Sequence, residues 1–455
     1  MFSRITTVAF AALWMTLPAT PADLPLSEFR ARRAELMKRL PQGIVLLHAT
    51  SDAVSQAAWR VHSFHQDPSF YYFSGQGSVL GAILAVDGPA QETWLFVPAK
   101  LSGLASMLPH ATIMPGRHAA EKAGFDHVVD WDEFIPYIDR RLASQPSPAL
   151  YVEDTEDWWS LRPLGPSIAE SNPKGLAPIE DRWLLWRRAV EQRWPAATVR
   201  SAASIIQDMR LVKSAAELSI IRRLGAATTK AGLHALSFVR PGITEKEIAL
   251  KVMEGCIQAG AEGPAFWPVL TSITEVEYYS NSRLRSKEIG RLDFGCDLDR
   301  YNSDVKRTIP LSGRFDAAQR EVWTMFVAVY QAGLGAIRDG AKREDVFARA
   351  IGEAERWKSR MRTDMGRKAV DAVPKASRFW LLHSMGLECC EVEPDSLRAG
   401  MIVEFEPTLT VDGQEFSIED MTLVTAGGHE VLSPVPYLAD DLERAIRPGR
   451  KRSKP

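Results

Sequence analysis

The sequence predicts an α/β (α+β) protein of more than one domain, and three observations point that way. Short apolar runs alternate with helical stretches from Leu26 to about Arg188. A long helical region follows, and after Ala259-Gly260 the character changes to strands and turns. At ~100 to 200 residues per domain, 455 residues should hold two or three domains, and 45% hydrophobic content lets them bury large cores.

Met1 to Ala22 carries one cation, Arg4, an apolar run from Ile5 to Leu17, then Thr20-Pro21-Ala22. This is the pattern of a signal peptide, so 1–22 is expected to be cleaved and the chain exported to a periplasmic or extracellular space. The apolar run is well short of the ~20 residues of a spanning helix, and no other segment is long and apolar enough, so no stable membrane span is expected after cleavage. Strands are expected over Gly43 to Leu47, Val79 to Val86, Thr93 to Val97 and Ala149 to Val152, making 23–185 an α/β domain. Trp183, Trp186 and Trp194 lie at helical spacing among many Arg, and 186–195 reads as a connector. Helices are expected over Ser201 to Met209, Ala215 to Phe238 and Glu245 to Gln258, broken at Lys213-Ser214 and Pro241-Gly242. The second domain runs over 196–440, and the polar, basic 441–455 reads as a disordered tail.

Lys and Arg total 55 against 57 for Asp and Glu, so no charge imbalance favours nucleic acid, and a peptide or small-molecule substrate is expected. Cys256, Cys296, Cys389 and Cys390 are too few and too uneven for a disulfide scaffold, which leaves stability to the core.

The chemistry concentrates in two acidic segments. Arg291 to Leu311 reads as two strands around a four-residue turn at Asp297 to Arg300, which pairs Cys296 with Tyr301 and sets Asp293 opposite Asp304. In Met401 to Val424, Asp412-Gly413 between β-rich runs is the strongest hairpin signal in the chain, and counting back from it sets Glu406 opposite Glu419. Like charges facing each other at ~4.5 to 5.5 Å are destabilising, so something positive should sit between them. Two divalent cations ~3.5 to 4 Å apart, bridged by carboxylates, would answer that need. Of the histidines in the second half, His234 lies mid-helix and His429 follows Gly427-Gly428 in a turn. That leaves His383 as the candidate nitrogen ligand.

The chain resembles the aminopeptidase P, prolidase and creatinase family. The likeness rests on Asp293-Phe294-Gly295, Ser303 to Thr308 (SDVKRT), His383 to Leu387 (HSMGL), Gly400 to Pro407 (GMIVEFEP), Ile418-Glu419-Asp420 and Gly427 to Leu432 (GGHEVL). Met209-Arg210, Lys213-Ser214 with Glu217, and Ser69 to Gly75 look like the family's linker helix and N-terminal domain. The resemblance implies a pita-bread catalytic domain behind a smaller α/β domain, homodimers or tetramers, and hydrolysis of Xaa-Pro peptides. It also implies two metal ions, Mn first, with Co, Zn or Fe as alternatives. It makes Asp293 a ligand of one metal, Asp304 and Glu419 bridging ligands, and His383 and Glu406 ligands of the other. Glu406 is also implied as general base for the water held between the metals.

The departures bear on chemistry. The family's peptidases have a His-Tyr pair where this chain has Tyr278-Tyr279. They have a histidine where Phe379 stands, four residues before the metal histidine, and another where Cys390 stands, seven after it. Stabilisation of developing charge would then fall to Tyr278, Tyr279 or the weak donor Cys390. Two further readings stay open: a relative acting on a small non-peptide C–N or C–S substrate, and a catalytically weak metal-binding protein.

Overall fold

The computed structural model describes residues 24–50, 66–99, 113–154, 182–271 and 289–446. The segment 1–22 and the pair Tyr278-Tyr279 lie outside the described residues.

The N-terminal sheet comprises β1 (Gly43–His48), β2 (Ile83–Asp87), β3 (Glu92–Val97), β4 (His127–Asp130), β5 (Ala149–Val152) and β6 (Val199–Ser201), in the order β4-β3-β2-β1-β5-β6. β2 begins at Ile83 rather than Val79, because Gly81 adopts φ 60°, a left-handed bend that a strand does not tolerate. Both faces of this sheet are covered, as strand alternation dictates. Ile44 and Leu46 pack with Phe134, Ile138 and Trp194 on one face, while Val45 and Leu47 join Phe29, Leu36 and Phe70 on the other. The helix Arg182–Arg193 brings Val190 and the following Trp194 onto the first face, and the next stretch of chain adds β6 to the sheet edge.

Three helices follow at Ala203–Leu211, Ala215–Leu236 and Glu245–Gln258. The last two begin at capping boxes, Ser214 with Glu217 and Thr244 with Glu247. The second domain then builds three sheets. A small one joins β7 (Gly263–Pro264), β10 (Cys296–Leu298) and β11 (Tyr301–Asn302). A second has the order β15-β16-β12-β9-β8, from β8 (Val269–Thr271), β9 (Ile289–Phe294), β12 (Val305–Pro310), β15 (Thr408–Val411) and β16 (Gln414–Glu419). A third has the order β13-β14-β17-β18, from β13 (Leu381–Ser384), β14 (Ile402–Glu406), β17 (Thr422–Thr425) and β18 (Gly428–Val431). Phe405 anchors the third sheet to the helix Ala317–Leu334, with the Tyr330 ring at 5.9 Å, and packs on Trp380, just before β13, at 5.7 Å.

Although four cysteines are too few for a disulfide scaffold, two of them form one disulfide, Cys256–Cys296, which ties the helix Glu245–Gln258 to β10. Part of the expected loose tail is ordered: Ala439–Ile446 is a helix with Leu442 and Ile446 buried, a four-residue spacing that places both on one face. Among the described residues no helix is long and apolar enough to cross a membrane.

Candidate metal centre

The first acidic segment forms a hairpin with a shorter turn than its composition suggested. Leu298 pairs with Tyr301 and Asp297 with Asn302, so the turn is Asp299-Arg300, both residues in the left-handed region at φ 51° and 69°. This pairing corrects the expected Cys296–Tyr301 pair, and Cys296 instead accepts from the backbone N–H of Ser303 at 3.0 Å. Aspartate tolerates positive φ, and two such residues give the twist that adjoining strands prefer. The register moves by two residues, and Asp293 faces Lys306 instead of Asp304. A slip of two leaves every side chain on its original face, so Asp293, Asp304 and Lys306 share one face. Gly295 is required at the crossover, because a Cβ there would lie 1.7 Å from the Ser303 carbonyl oxygen.

The second segment turns at Asp412-Gly413, with φ 47° and 74°, and pairs Val411 with Gln414 as the dipeptide predicts. The ladder stops at Thr408–Ser417, however, because Pro407 has no N–H to continue it. Glu406 therefore does not face Glu419. It ends β14 in the neighbouring sheet, opposite Leu381, and Glu404 faces His383. Glu419 on β16 faces Lys306. One row across three strands thus reads Asp293, Lys306, Glu419, so opposite charges meet where like charges were expected.

Of the five predicted ligands, Asp304, His383 and Glu419 come within reach of a common point together with Glu404, while Asp293 and Glu406 are joined to them through Lys306. His383 Nε2 lies 3.0 Å from Glu419 Oε1 and 3.9 Å from Glu406 Oε2. One donor atom each from Asp304, His383, Glu404 and Glu419 can be chosen so that all lie within 4.8 Å of one another, and all four residues are buried. Lys306 Nζ lies 3.2 Å from both Asp293 Oδ2 and Glu419 Oε2 and pairs with Glu406 Oε1. Arg307, fully buried, locks this row from the other side: it donates to the backbone carbonyls of Lys306, Glu419, Val435 and Pro436 and pairs with Asp420, which also accepts from Tyr330 Oη at 2.9 Å.

Burial and charge shape the electrostatics. Burial would lower the Lys306 pKa, but Asp293, Glu406, Glu419 and Asp304 together push it well above the usual lysine value. Burial would raise Glu419, yet Lys306 and His383 hold it at about 2. Asp304 and Glu404 are raised well above the carboxylate range, by burial first and then by Glu419. Among the described residues, no donor reaches Asp293 Oδ1, Asp304 Oδ1 or either oxygen of Glu404. Buried carboxylate oxygens left in this state call for a cation, and an imidazole with oxygen donors is a set that suits a divalent first-row ion.

Lys306 and Glu404 did not stand out as site residues from sequence. Their signal was strand alternation: Lys306 follows Asp304 by two and Glu404 precedes Glu406 by two, so each shares the face of its acidic neighbour. Of the residues in the family's histidine positions, Cys390 lies with Sγ 3.9 Å from His383 Nε2. Phe379 is 77% exposed in the turn Ser377–Phe379 and offers no donor.

Comparison with known proteins identifies the family and the fold. Residues 219–426 match metallopeptidase family M24, and residues 29–151 match the aminopeptidase P N-terminal domain. The chain belongs to the aminopeptidase P/prolidase family. It is 25% identical to Xaa-Pro aminopeptidase 3 of Rattus norvegicus over 84% of this chain and 77% of that protein. It is 22% identical to the Xaa-Pro aminopeptidase of Escherichia coli over 94% of this chain and 100% of that protein. Proline aminopeptidase P II from Yersinia pestis shares the fold at a TM-score of 0.73, with 21% identity over 93% of this chain and 99% of that one. The family assignment carries the pita-bread fold behind an aminopeptidase P N-terminal domain, and it makes this family member a metallopeptidase-type hydrolase of a class that uses divalent metal ions.

Proposed function

We propose that the protein is an exported, metal-dependent aminopeptidase acting on peptides with proline in the second position. The observation that carries this reading is the buried quartet Asp304, His383, Glu404 and Glu419, whose undonated oxygens sit on an M24 scaffold. A divalent ion held there supplies Lewis acidity toward the scissile carbonyl and acidifies water. The chain's own residues do the rest. In this reading Glu406, tied to Lys306 and 3.9 Å from His383, takes a proton from the attacking water and passes it to the leaving amine. Cys390 is a weak donor beside the imidazole. Export is supported by the pattern of residues 1–22 and by the Cys256–Cys296 disulfide, which fits an oxidising compartment.

The test is release of the N-terminal residue from Xaa-Pro peptides by the mature protein, before and after chelation and with Mn, Co or Zn restored. Metal-restored release that Asp304→Ala abolishes is the expected result. A second reading is favoured by Phe379 and Cys390, which put an exposed ring and a thiol where the family's peptidases have histidines. Under it, small non-peptide amides or thioethers are turned over in the same assay while Xaa-Pro peptides are not.

A further inference from the structure

We propose that the Lys306 ammonium permanently fills one of the two cation positions the family resemblance implies, so that the centre binds a single divalent ion between Asp304, His383, Glu404 and Glu419. This deepens the metal-dependent reading above and rests on it.

Three observations lead there. First, Lys306 Nζ lies between the carboxylates expected around the second ion: it is 3.2 Å from Asp293 Oδ2, 3.2 Å from Glu419 Oε2, and paired with Glu406 Oε1. A first-row divalent ion sits ~2.0 to 2.2 Å from carboxylate oxygens. Reaching those three oxygens at that distance would place it in the volume that Nζ occupies.

Second, the lysine is built into that position. Its backbone is paired on both sides, to Asp293 on β9 and to Glu419 on β16, so its side chain leaves the sheet in line with both acids. Arg307 holds the same stretch through the Lys306 and Glu419 carbonyls. The Lys306 side chain is buried, and within the site it is surrounded by Asp293, Asp304, Glu406 and Glu419.

Third, the ammonium does not satisfy the whole site, because carboxylate oxygens with no donor among the described residues remain beside it. Asp304 Oδ1 and both Glu404 oxygens receive no hydrogen bond from described residues, and Glu404 and Glu419 are 0% exposed. Glu404 is paired with His383 across β13 and β14, with its Oε2 3.6 Å from His383 Nε2. The quartet is thus one compact site with one imidazole and three carboxylates, enough for one four-coordinate ion. Glu404 adds a carboxylate to this set, so the chain carries both a cation where one metal was expected and an added carboxylate where the other would bind.

The experiment is metal stoichiometry on the full mature protein, read by elemental analysis after equilibration with excess Mn and then with excess Zn, and by electron paramagnetic resonance of the Mn form. One ion per chain with the hyperfine pattern of an isolated Mn ion is expected. Lys306→Ala should raise the count to two and produce an exchange-coupled spectrum, and Glu404→Gln should weaken binding of the single ion at least tenfold. Two ions per wild-type chain would overturn the inference and leave the metallohydrolase reading intact. No ion bound under any of these conditions would overturn both. If Lys306→Ala fails to fold, the wild-type count and spectrum still decide. A folded Lys306→Ala that keeps one ion would remove Lys306 as the cause.

Discussion

Two buried charge clusters lie in this molecule, and they are built on opposite principles. At the junction of the two domains, Glu391 accepts from Arg210 Nη2 at 2.8 Å, Arg210 Nε at 3.2 Å, the Leu387 N–H at 3.1 Å and Lys213 Nζ at 2.8 Å. Arg210 also pairs with Glu388 at 2.5 Å, so two cations meet two carboxylates and each Glu391 oxygen has a donor. Gly386 is needed for that approach, since a Cβ there would lie 2.5 Å from Lys213 Nζ. At the metal centre, five carboxylates share one lysine and one histidine, and several oxygens have no donor among the described residues. The first cluster is closed and serves the fold, whereas the second is left short of positive charge. A buried ion pair that satisfies itself gives rigidity, while one that does not is a site for something else.

The comparison is sharpest where one substitution type gives opposite results in the two places. The largest effect is expected at Asp304→Ala, which should remove metal-dependent hydrolysis by about a thousandfold or more, several kcal/mol of barrier, while the protein stays folded by circular dichroism. Glu391→Gln comes next. It strands Lys213 and weakens the partnering of Arg210, and denaturant melts should show a loss of ~3 to 5 kcal/mol. Retention of full stability would mean the junction cluster is not the closed unit described.

Acid should separate the clusters as well. Burial would raise Glu391, but Lys213 and Arg210 hold it down to about 2. Because the folded value is depressed, its stability contribution is present above the unfolded carboxylate range near 4.5 and is lost as pH falls from there toward 2. The amount is on the order of 3 kcal/mol. A pH series of melts should show this loss in wild type and not in Glu391→Gln. The smallest effect is the one that reverses sign. In metal-free protein Glu404→Gln removes a carboxyl that burial and Glu419 push well above its usual range, so that it must take up a proton to be buried, and the change should stabilise by ~1 to 2 kcal/mol, read as a higher melting temperature. In metal-loaded protein the same change should destabilise.

Much of the centre could be read from local pattern. Asp412-Gly413 named its own turn, the acids of β9 and β12 fell on one face whichever even register was chosen, and His383 stood out as the remaining histidine on an apolar run. The error in the first hairpin cost little because a slip of two preserves the face. The error in the second cost more: Pro407 ends the ladder, and Glu406 moves to another sheet.

The sequence by itself determined where most of the predicted strands lie, that Asp412-Gly413 closes one hairpin and which side chains share a face, because these follow from neighbours a few residues apart. Tertiary structure alone decided what stands opposite what. Lys306 between Asp293 and Glu419, Glu404 across from His383, and Arg210 on Glu391, 181 residues away, all depend on how separate strands and helices come together. Strand alternation repeats every two residues and carries no information about the partner strand. Lateral pairing is settled only when the buried faces of distant segments pack into one core, and it is this pairing that puts a lysine at the heart of the acidic site.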